Sequence, residues 1–137
     1  MNEESPEFKD KNLFVQITKL TKGLTYVSES DADVQPFSGG AVTNDDVAAA
    51  VKAIDQQEPA EEISFDNFFG PLAAQQDWYG KDENKRAERF ARLKRLIEEN
   101  LRGIKVLKLG HIQKTIYVAG ITTNNNLLGV KMDAVET

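Results

Sequence analysis

The sequence contains no cysteine, one histidine and one tryptophan among its 137 residues. Without cysteine the chain can form no disulfide, no thiolate metal site and no cysteine nucleophile. The single histidine, His111, is accompanied by no serine nucleophile motif, and its position after Gly110 predicts a surface turn rather than a base or a ligand. These absences exclude a cysteine nucleophile and argue against nucleophilic catalysis in general, while a small hydrolase that uses carboxylates is the least favoured alternative.

Long apolar runs are absent as well. No stretch approaches the roughly 18 apolar residues that span a bilayer, so no membrane association is expected. The first seven residues are acidic and contain no apolar core, which argues against a signal peptide and favours a cytoplasmic protein. The length suits a single domain.

The charge is mildly acidic, because 22 Asp and Glu outnumber 17 Lys and Arg and give a net charge of -5. Phosphates would be repelled, so direct binding of nucleic acid is not expected. A basic protein partner would suit this charge, and so would ordinary solubility.

Three patterns resemble ligand sites only in part. Gly39-Gly40 lacks the Lys-Ser/Thr pair of a phosphate-binding loop. Asp31 and Asp33 resemble the start of a calcium loop, but the glycine and the distal glutamate of that loop are missing. Glu61-Glu62 is an ordinary acidic pair. The sequence therefore predicts a protein that is not an enzyme and has no metal or cofactor of its own.

Periodicity predicts helices in the first half of the chain. Apolar residues from Leu13 to Leu24 have helical spacing and Gly23 is a plausible stop, although the first of them could also alternate as a strand. Thr43 with Asp46 predicts the start of a second helix. The expected strand is 24–29. Flexible or turn segments are expected at 1–11, 30–33, 37–40 and 58–62.

The second half is expected to form two helices and then three strands. Ser64 caps a short helical turn that carries three phenylalanines and is closed by Gly70. A long amphipathic helix is predicted from about Glu83 to Arg102, with Asp82 as its cap. The strands are predicted at about 104–110, 114–122 and 127–135. Short turns between them favour antiparallel hairpins, so the fold class is α+β within one domain at 12–137.

Trp78 lies in the polar run Gln75-Gln76-Asp77-Trp78-Tyr79-Gly80. The run follows Gly70-Pro71 and precedes the long helix, so it is expected to be a loop. A large aromatic residue on a polar loop is poorly explained by core packing, whereas tryptophan and tyrosine are favoured anchors in protein interfaces. The loop therefore indicates a protein that acts by binding a partner.

Several motifs in this order resemble the nuclease A inhibitor (NuiA-like) family. They are Tyr26-Val27-Ser28-Glu29-Ser30, Gln76-Asp77-Trp78-Tyr79, Tyr117-Val118-Ala119-Gly120, Asn126-Leu127-Leu128-Gly129-Val130 and Val135-Glu136-Thr137. The similarity covers about residues 12–30 and 63–137. Residues 31–62 depart from the family pattern, so this segment could be shaped for a different partner.

The resemblance implies a three-layer α-β-α sandwich with a mainly antiparallel sheet, similar to the plant pathogenesis-related class 1 (PR-1-like) fold. It implies non-covalent 1:1 inhibition of a sugar-non-specific, magnesium-dependent DNA/RNA endonuclease by a protein that is monomeric when free. Glu29, Gln76, Trp78 and Thr137 are the partner-binding residues it implies, with Thr137 near the nuclease's metal. A protein-interaction module of the same fold with a non-nuclease partner is the alternative.

Overall fold

The computed structural model describes the backbone of residues 6–137 and the side chains from Lys9 onwards. Within this range the helices are α1 (Pro6–Thr21), α2 (Val47–Ile54), α3 (Phe65–Ala73) and α4 (Lys81–Asn100). The strands are β1 (Thr25–Val27), β2 (Asp31–Asp33), β3 (Gln35–Ala41), β4 (Ala60–Ile63), β5 (Arg102–Gly110), β6 (Gln113–Ile121) and β7 (Asn126–Val135). The predicted α+β class is confirmed.

The strands of the described residues form two antiparallel sheets. The larger has the strand order β3-β7-β6-β5-β4, and β1 pairs with β2 in the smaller. Val118 of the central strand β6 lies opposite Val106 on one side and Val130 on the other. Both predicted hairpins of the second half are confirmed, with turns at 111–112 and 122–125.

Side chains on the two faces of the larger sheet belong to two apolar clusters, as the alternation of strand residues requires. One cluster joins α1, α3 and α4 to the sheet residues Val106, Ile116, Val118, Leu128, Val130, Met132 and Ala134. The other joins α2 to Phe37, Leu107, Leu109, Tyr117, Ala119, Ile121 and Leu127. Each fully buried aliphatic side chain contributes about 1.5–3 kcal/mol to folding, so these clusters are the main source of stability.

Helix α1 is longer than the sequence predicted. It starts at Pro6 rather than near Leu13, and it confirms a helix where a strand was the alternative. Asp10 in the added part of the helix accepts hydrogen bonds from the side chains of Thr122 and Asn126, which ties α1 to the last hairpin. Of the expected flexible segment 1–11, residues 1–5 lie outside the described part of the chain.

Three segments that were predicted as turns or loops are strands. The turn expected at 30–33 is strand β2, the flexible segment 37–40 belongs to β3, and the acidic loop 58–62 is largely β4. Strands β3 and β4 are the two edges of the larger sheet. Their pairing depends on β7 and β5, which are distant in sequence, so local propensity could not reveal it.

Two predicted helix starts shift and one is confirmed. Ser64 accepts from the main-chain N–H of Asn67 at 3.1 Å, as expected for the cap of α3. The cap of α2 is Asp46 rather than Thr43, because its carboxylate reaches the N–H of Ala49 at 3.0 Å. Helix α4 begins after Gly80, so Asp82 lies in its first turn, where negative charge is also favourable.

The prediction that α3 closes at Gly70 is wrong, since the helix continues through Pro71 to Ala73. The proline leaves the carbonyl of Asn67 without its helical partner, but Asn67 is exposed and water can satisfy it. Leu72 packs against the larger cluster, which favours the additional turn. Tertiary packing therefore outweighs the local signal.

Arg102 fixes the end of the sheet that carries the 122–125 turn, which we call the far end. Its guanidinium donates to the carbonyl of Thr122 at 2.7 Å, to the side chain of Asn125 at 2.7 Å and to Asp45 at 3.0 Å. The opposite end carries the 111–112 turn of the β5–β6 hairpin, together with Gly110, Gln113 and Val135, and is called the hairpin end.

No helix in the described range is long and apolar enough to cross a membrane.

Candidate partner-binding site

Glu29 and Thr137, which are 108 positions apart, are in direct contact. The Thr137 hydroxyl donates to one carboxylate oxygen of Glu29 at 2.7 Å, and its main-chain N–H donates to the other. Both residues are exposed. The structure therefore brings together two of the four residues that the sequence indicated.

Hydrogen bonds from the Thr137 hydroxyl and N–H hold the pKa of the Glu29 carboxyl below its ordinary value. The nearby charge of Glu136 acts weakly in the opposite direction. Glu29 is therefore an ionised carboxylate at neutral pH, and its charge is exposed at the hairpin end.

Main-chain hydrogen bonds hold the residues before Thr137 in place. The N–H of Val135 donates to the Ser28 hydroxyl at 3.0 Å, and the N–H of Glu29 donates to the carbonyl of Val135 at 3.2 Å. The N–H of Glu136 donates to the carbonyl of Ile112 at 3.0 Å. Strand β7 is thus fixed on both sides where it approaches Thr137.

An ion-pair cluster lies beneath this surface. The Glu136 carboxylate accepts from Lys108 at 2.7 Å and from Lys114 at 3.2 Å, and both lysine side chains are largely buried. The bond from Lys108, aided by Lys114, holds the pKa of Glu136 below its ordinary value despite partial burial. Sequence reasoning missed this cluster, because Glu136 was singled out only as part of a motif.

The predicted loop around Trp78 is present at 74–80, between α3 and α4. Trp78 is 78% exposed, and its ring meets Tyr79 edge-on with centroids 5.9 Å apart. The N–H of Tyr79 donates to the carbonyl of Gln76 at 3.1 Å, which closes a tight turn. The indole therefore projects into solvent, with the half-buried Gln76 at the base of the loop.

Chain topology directs this loop to the hairpin end. Only Leu101 separates α4 from β5, and α4 packs its buried face on the sheet through Phe90 and Ile97, so the chain reverses direction there. A 20-residue helix and a nine-residue strand are each about 30 Å long, so the first residue of α4 lies towards the last residue of β5. This topology directs the Trp78 loop towards the end of the sheet where the Glu29–Thr137 pair lies.

Among the residues described, no group of three or more His, Cys, Asp or Glu is arranged to hold a metal ion. His111 is exposed in the 111–112 turn. What the hairpin end offers is a fixed carboxylate, a hydroxyl and an exposed indole, which is chemistry suited to recognition.

A family model for nuclease A inhibitor-like protein matches residues 11–137, which is nearly the whole chain. A search of curated proteins finds no match. The family match includes the segment 31–62, which the sequence motifs had left outside the resemblance. With this match and the fold described above, the chain belongs to the nuclease A inhibitor-like family.

Proposed function

We propose that the protein inhibits a sugar-non-specific, magnesium-dependent DNA/RNA endonuclease by occupying its active-site cleft as a non-covalent 1:1 complex. Membership of an inhibitor family supports a nuclease as the partner. The observation that carries the proposal is the contact between Glu29 and Thr137 on an exposed surface at the end of the molecule that also bears Trp78. Glu29, Gln76, Trp78 and Thr137 are the proposed partner-binding residues.

The chemistry of a nuclease cleft matches this surface. Such a cleft holds basic side chains and a divalent cation that recognise phosphate oxygens. The ionised Glu29 carboxylate can imitate those oxygens and pair with arginine, since charge-assisted bonds between guanidinium and carboxylate are strong and directional. Oxygen ligands such as the Thr137 hydroxyl suit hydrated magnesium in the partner. The net charge of -5 favours encounter with a basic cleft.

Trp78 is proposed as the principal anchor. Its exposed indole would be buried on binding, and the removal of such an anchor typically costs about 2 kcal/mol or more, which is roughly 30-fold in affinity. Gln76, at the base of the same loop, would add a directional hydrogen bond.

The fold proposed with this function is a three-layer α-β-α sandwich of the plant pathogenesis-related class 1 kind. Clusters on both faces of the sheet, one with α1, α3 and α4 and the other with α2, support the layering. We further propose that the free protein is a monomer, acts in the cytoplasm and catalyses no reaction itself.

The test is titration of the purified protein into a panel of magnesium-dependent sugar-non-specific endonucleases, with DNA cleavage as the readout. Stoichiometric inhibition of at least one enzyme is expected. Trp78→Ala and Glu29→Gln should each raise the inhibition constant roughly 30-fold. Ile54→Ala and Glu99→Gln, which change exposed residues away from the hairpin end, serve as matched controls and should inhibit like the unaltered protein.

Full inhibition by both hairpin-end variants would contradict the proposed surface. Failure to inhibit any enzyme of the panel would contradict the proposed target. If affinity capture then recovers only other proteins, the chain is an interaction module that has kept the family fold for a different partner.

A further inference from the structure

Exposed apolar side chains are concentrated at one end of the protein. Within the described residues, the exposed large apolar side chains are Val15, Val27, Ile54, Trp78 and Ile112. Trp78, Val27 and Ile112 lie at the hairpin end. Single exposed apolar residues need no explanation, but several around one site indicate an interaction surface.

Ile112 lies at the tip of the hairpin between β5 and β6 and is 46% exposed. The turn itself does not require an isoleucine, because Gly110, with φ of +106°, supplies the unusual backbone conformation. Ile112 is adjacent to the proposed site, since its carbonyl accepts the N–H of Glu136, the neighbour of Thr137. The backbone of the turn therefore does not account for an apolar side chain at this position.

Val27 lies on the other side of the Glu29–Thr137 pair. It is 47% exposed, whereas its strand neighbour Tyr26 is buried against Phe68, so alternation along β1 points Val27 outwards. Only Ser28 separates it from Glu29. Val27 therefore lies on the β1 side of the residues that lead to Thr137, and Ile112 lies on the β6 side.

We infer that Ile112 and Val27 are further partner-binding residues that extend the proposed surface across the β5–β6 hairpin and strand β1. The inference rests on the proposed function, and it names the apolar rim of a basic enzyme cleft as the occupant. Continuity with Glu29 and Thr137 supports that occupant, and so does charge.

The surrounding charge favours a basic partner over a second copy of this chain. Val27 lies opposite Asp31 in the β1–β2 pair and two residues before Glu29. Pairing two copies through this patch would bring these carboxylates together, and like charges in an interface are costly. A basic partner would pair with the same carboxylates while its apolar rim covers Val27 and Ile112.

The experiment compares each substitution at the hairpin end with the same substitution at a similarly exposed residue elsewhere, and none of these substitutions changes the net charge. Ile112→Ser is matched by Ile54→Ser, because Ile54 is 50% exposed on α2. Val27→Thr is matched by Val15→Thr, because Val15 is 47% exposed on α1. Inhibition constants are measured against the endonuclease that the unaltered protein inhibits, with thermal unfolding to check that each variant folds.

Ile112→Ser should raise the inhibition constant about tenfold and Val27→Thr about threefold, while the two matched controls change it less than twofold. The inference would be overturned if Ile112→Ser and Val27→Thr inhibit as strongly as the unaltered protein while Trp78→Ala inhibits less strongly. The proposed function would then still stand. If the unaltered protein inhibits no enzyme of the endonuclease panel, both the proposed function and this inference are overturned. Sedimentation velocity that shows dimers which Ile112→Ser dissociates would assign the patch to a second copy instead.

Discussion

Glu136→Gln tests how the Glu29–Thr137 contact is maintained. The substitution keeps the size of the side chain but removes the charge that pairs with Lys108 and Lys114. Hydrogen bonds to a charged group contribute about 1.5–3 kcal/mol each, and partial exposure of Glu136 reduces that value. We expect a loss of about 2 kcal/mol in the free energy of unfolding, which lowers Tm by about 6 °C for a chain of this size.

The direction in which Glu136→Gln moves the pKa of Glu29 shows whether Thr137 stays hydrogen-bonded to Glu29. Removal of a neighbouring negative charge would by itself lower that pKa further, because the charge of Glu136 raises it. Release of Thr137 from Glu29 would raise the pKa towards its ordinary value, because the hydrogen bonds from Thr137 are the larger effect. We expect the pKa of Glu29 to rise, because the ion pairs of the Glu136 side chain hold in place the residue that precedes Thr137.

The assay is an NMR titration of the Glu29 side-chain carboxyl in the unaltered protein and in Glu136→Gln. Glu62→Gln is the matched control, because Glu62 forms an exposed ion pair with Lys105 at 2.8 Å at the β4 edge of the sheet. It should leave the pKa of Glu29 unchanged. A fall in the pKa of Glu29 in Glu136→Gln would refute the reasoning, since Thr137 would then stay in place without its anchor.

The effect of Glu136 on stability also has a defined pH dependence. The pKa of Glu136 is lowered in the folded protein. Its contribution to the free energy of unfolding is therefore present at neutral pH and is lost as pH falls through the folded-state pKa. The difference in unfolding free energy between the unaltered protein and Glu136→Gln should therefore shrink below about pH 4. A difference that stays constant from pH 7 to pH 3 would contradict the assigned ion pairs.

Three further predictions concern stability and are read by thermal unfolding followed by circular dichroism. Gly129→Ala should destabilise by at least about 3 kcal/mol, because its Cβ would lie 1.9 Å from the carbonyl oxygen of Val118. Gly70→Ala is the control and should cost less than about 1 kcal/mol, because its Cβ would meet no atom within 4 Å apart from the adjacent residues, of which Pro71 disfavours a Cβ before it in a helix. Asp10→Ala should cost about 2 kcal/mol, because it removes the acceptor for side chains of the last hairpin turn; a cost below 0.5 kcal/mol would contradict that role. Asp46→Ala should cost about 1 kcal/mol through loss of the helix cap, and no change would show that the cap is dispensable.

Elements with a strong local pattern were predictable from the sequence. The strands at 102–110, 113–121 and 126–135 have dense apolar residues and short turns, and the structure confirms all three within about two residues. Ser64 was identified as a cap because its hydroxyl acts within one helical turn. These features depend on interactions over a few residues, which a sequence displays directly.

Features that depend on distant partners were not predictable. The acidic stretch at 58–62 has the composition of a loop, and it becomes strand β4 because β5 provides a partner along its length. The hydrogen bonds between Glu29 and Thr137 likewise require a fold that brings residues 108 positions apart together. Only the resemblance to a family indicated that these two residues belong with Trp78, and their role in binding stays a prediction.

The network around Arg102 and Asp10 has a practical consequence for studies of binding. It immobilises the last hairpin turn at the end of the sheet opposite the Glu29–Thr137 pair, and Thr123 in that turn is exposed. Because the sequence contains no cysteine, Thr123→Cys would introduce a single thiol there. A dye or a biosensor surface attached through that thiol would leave the opposite end open to the solution.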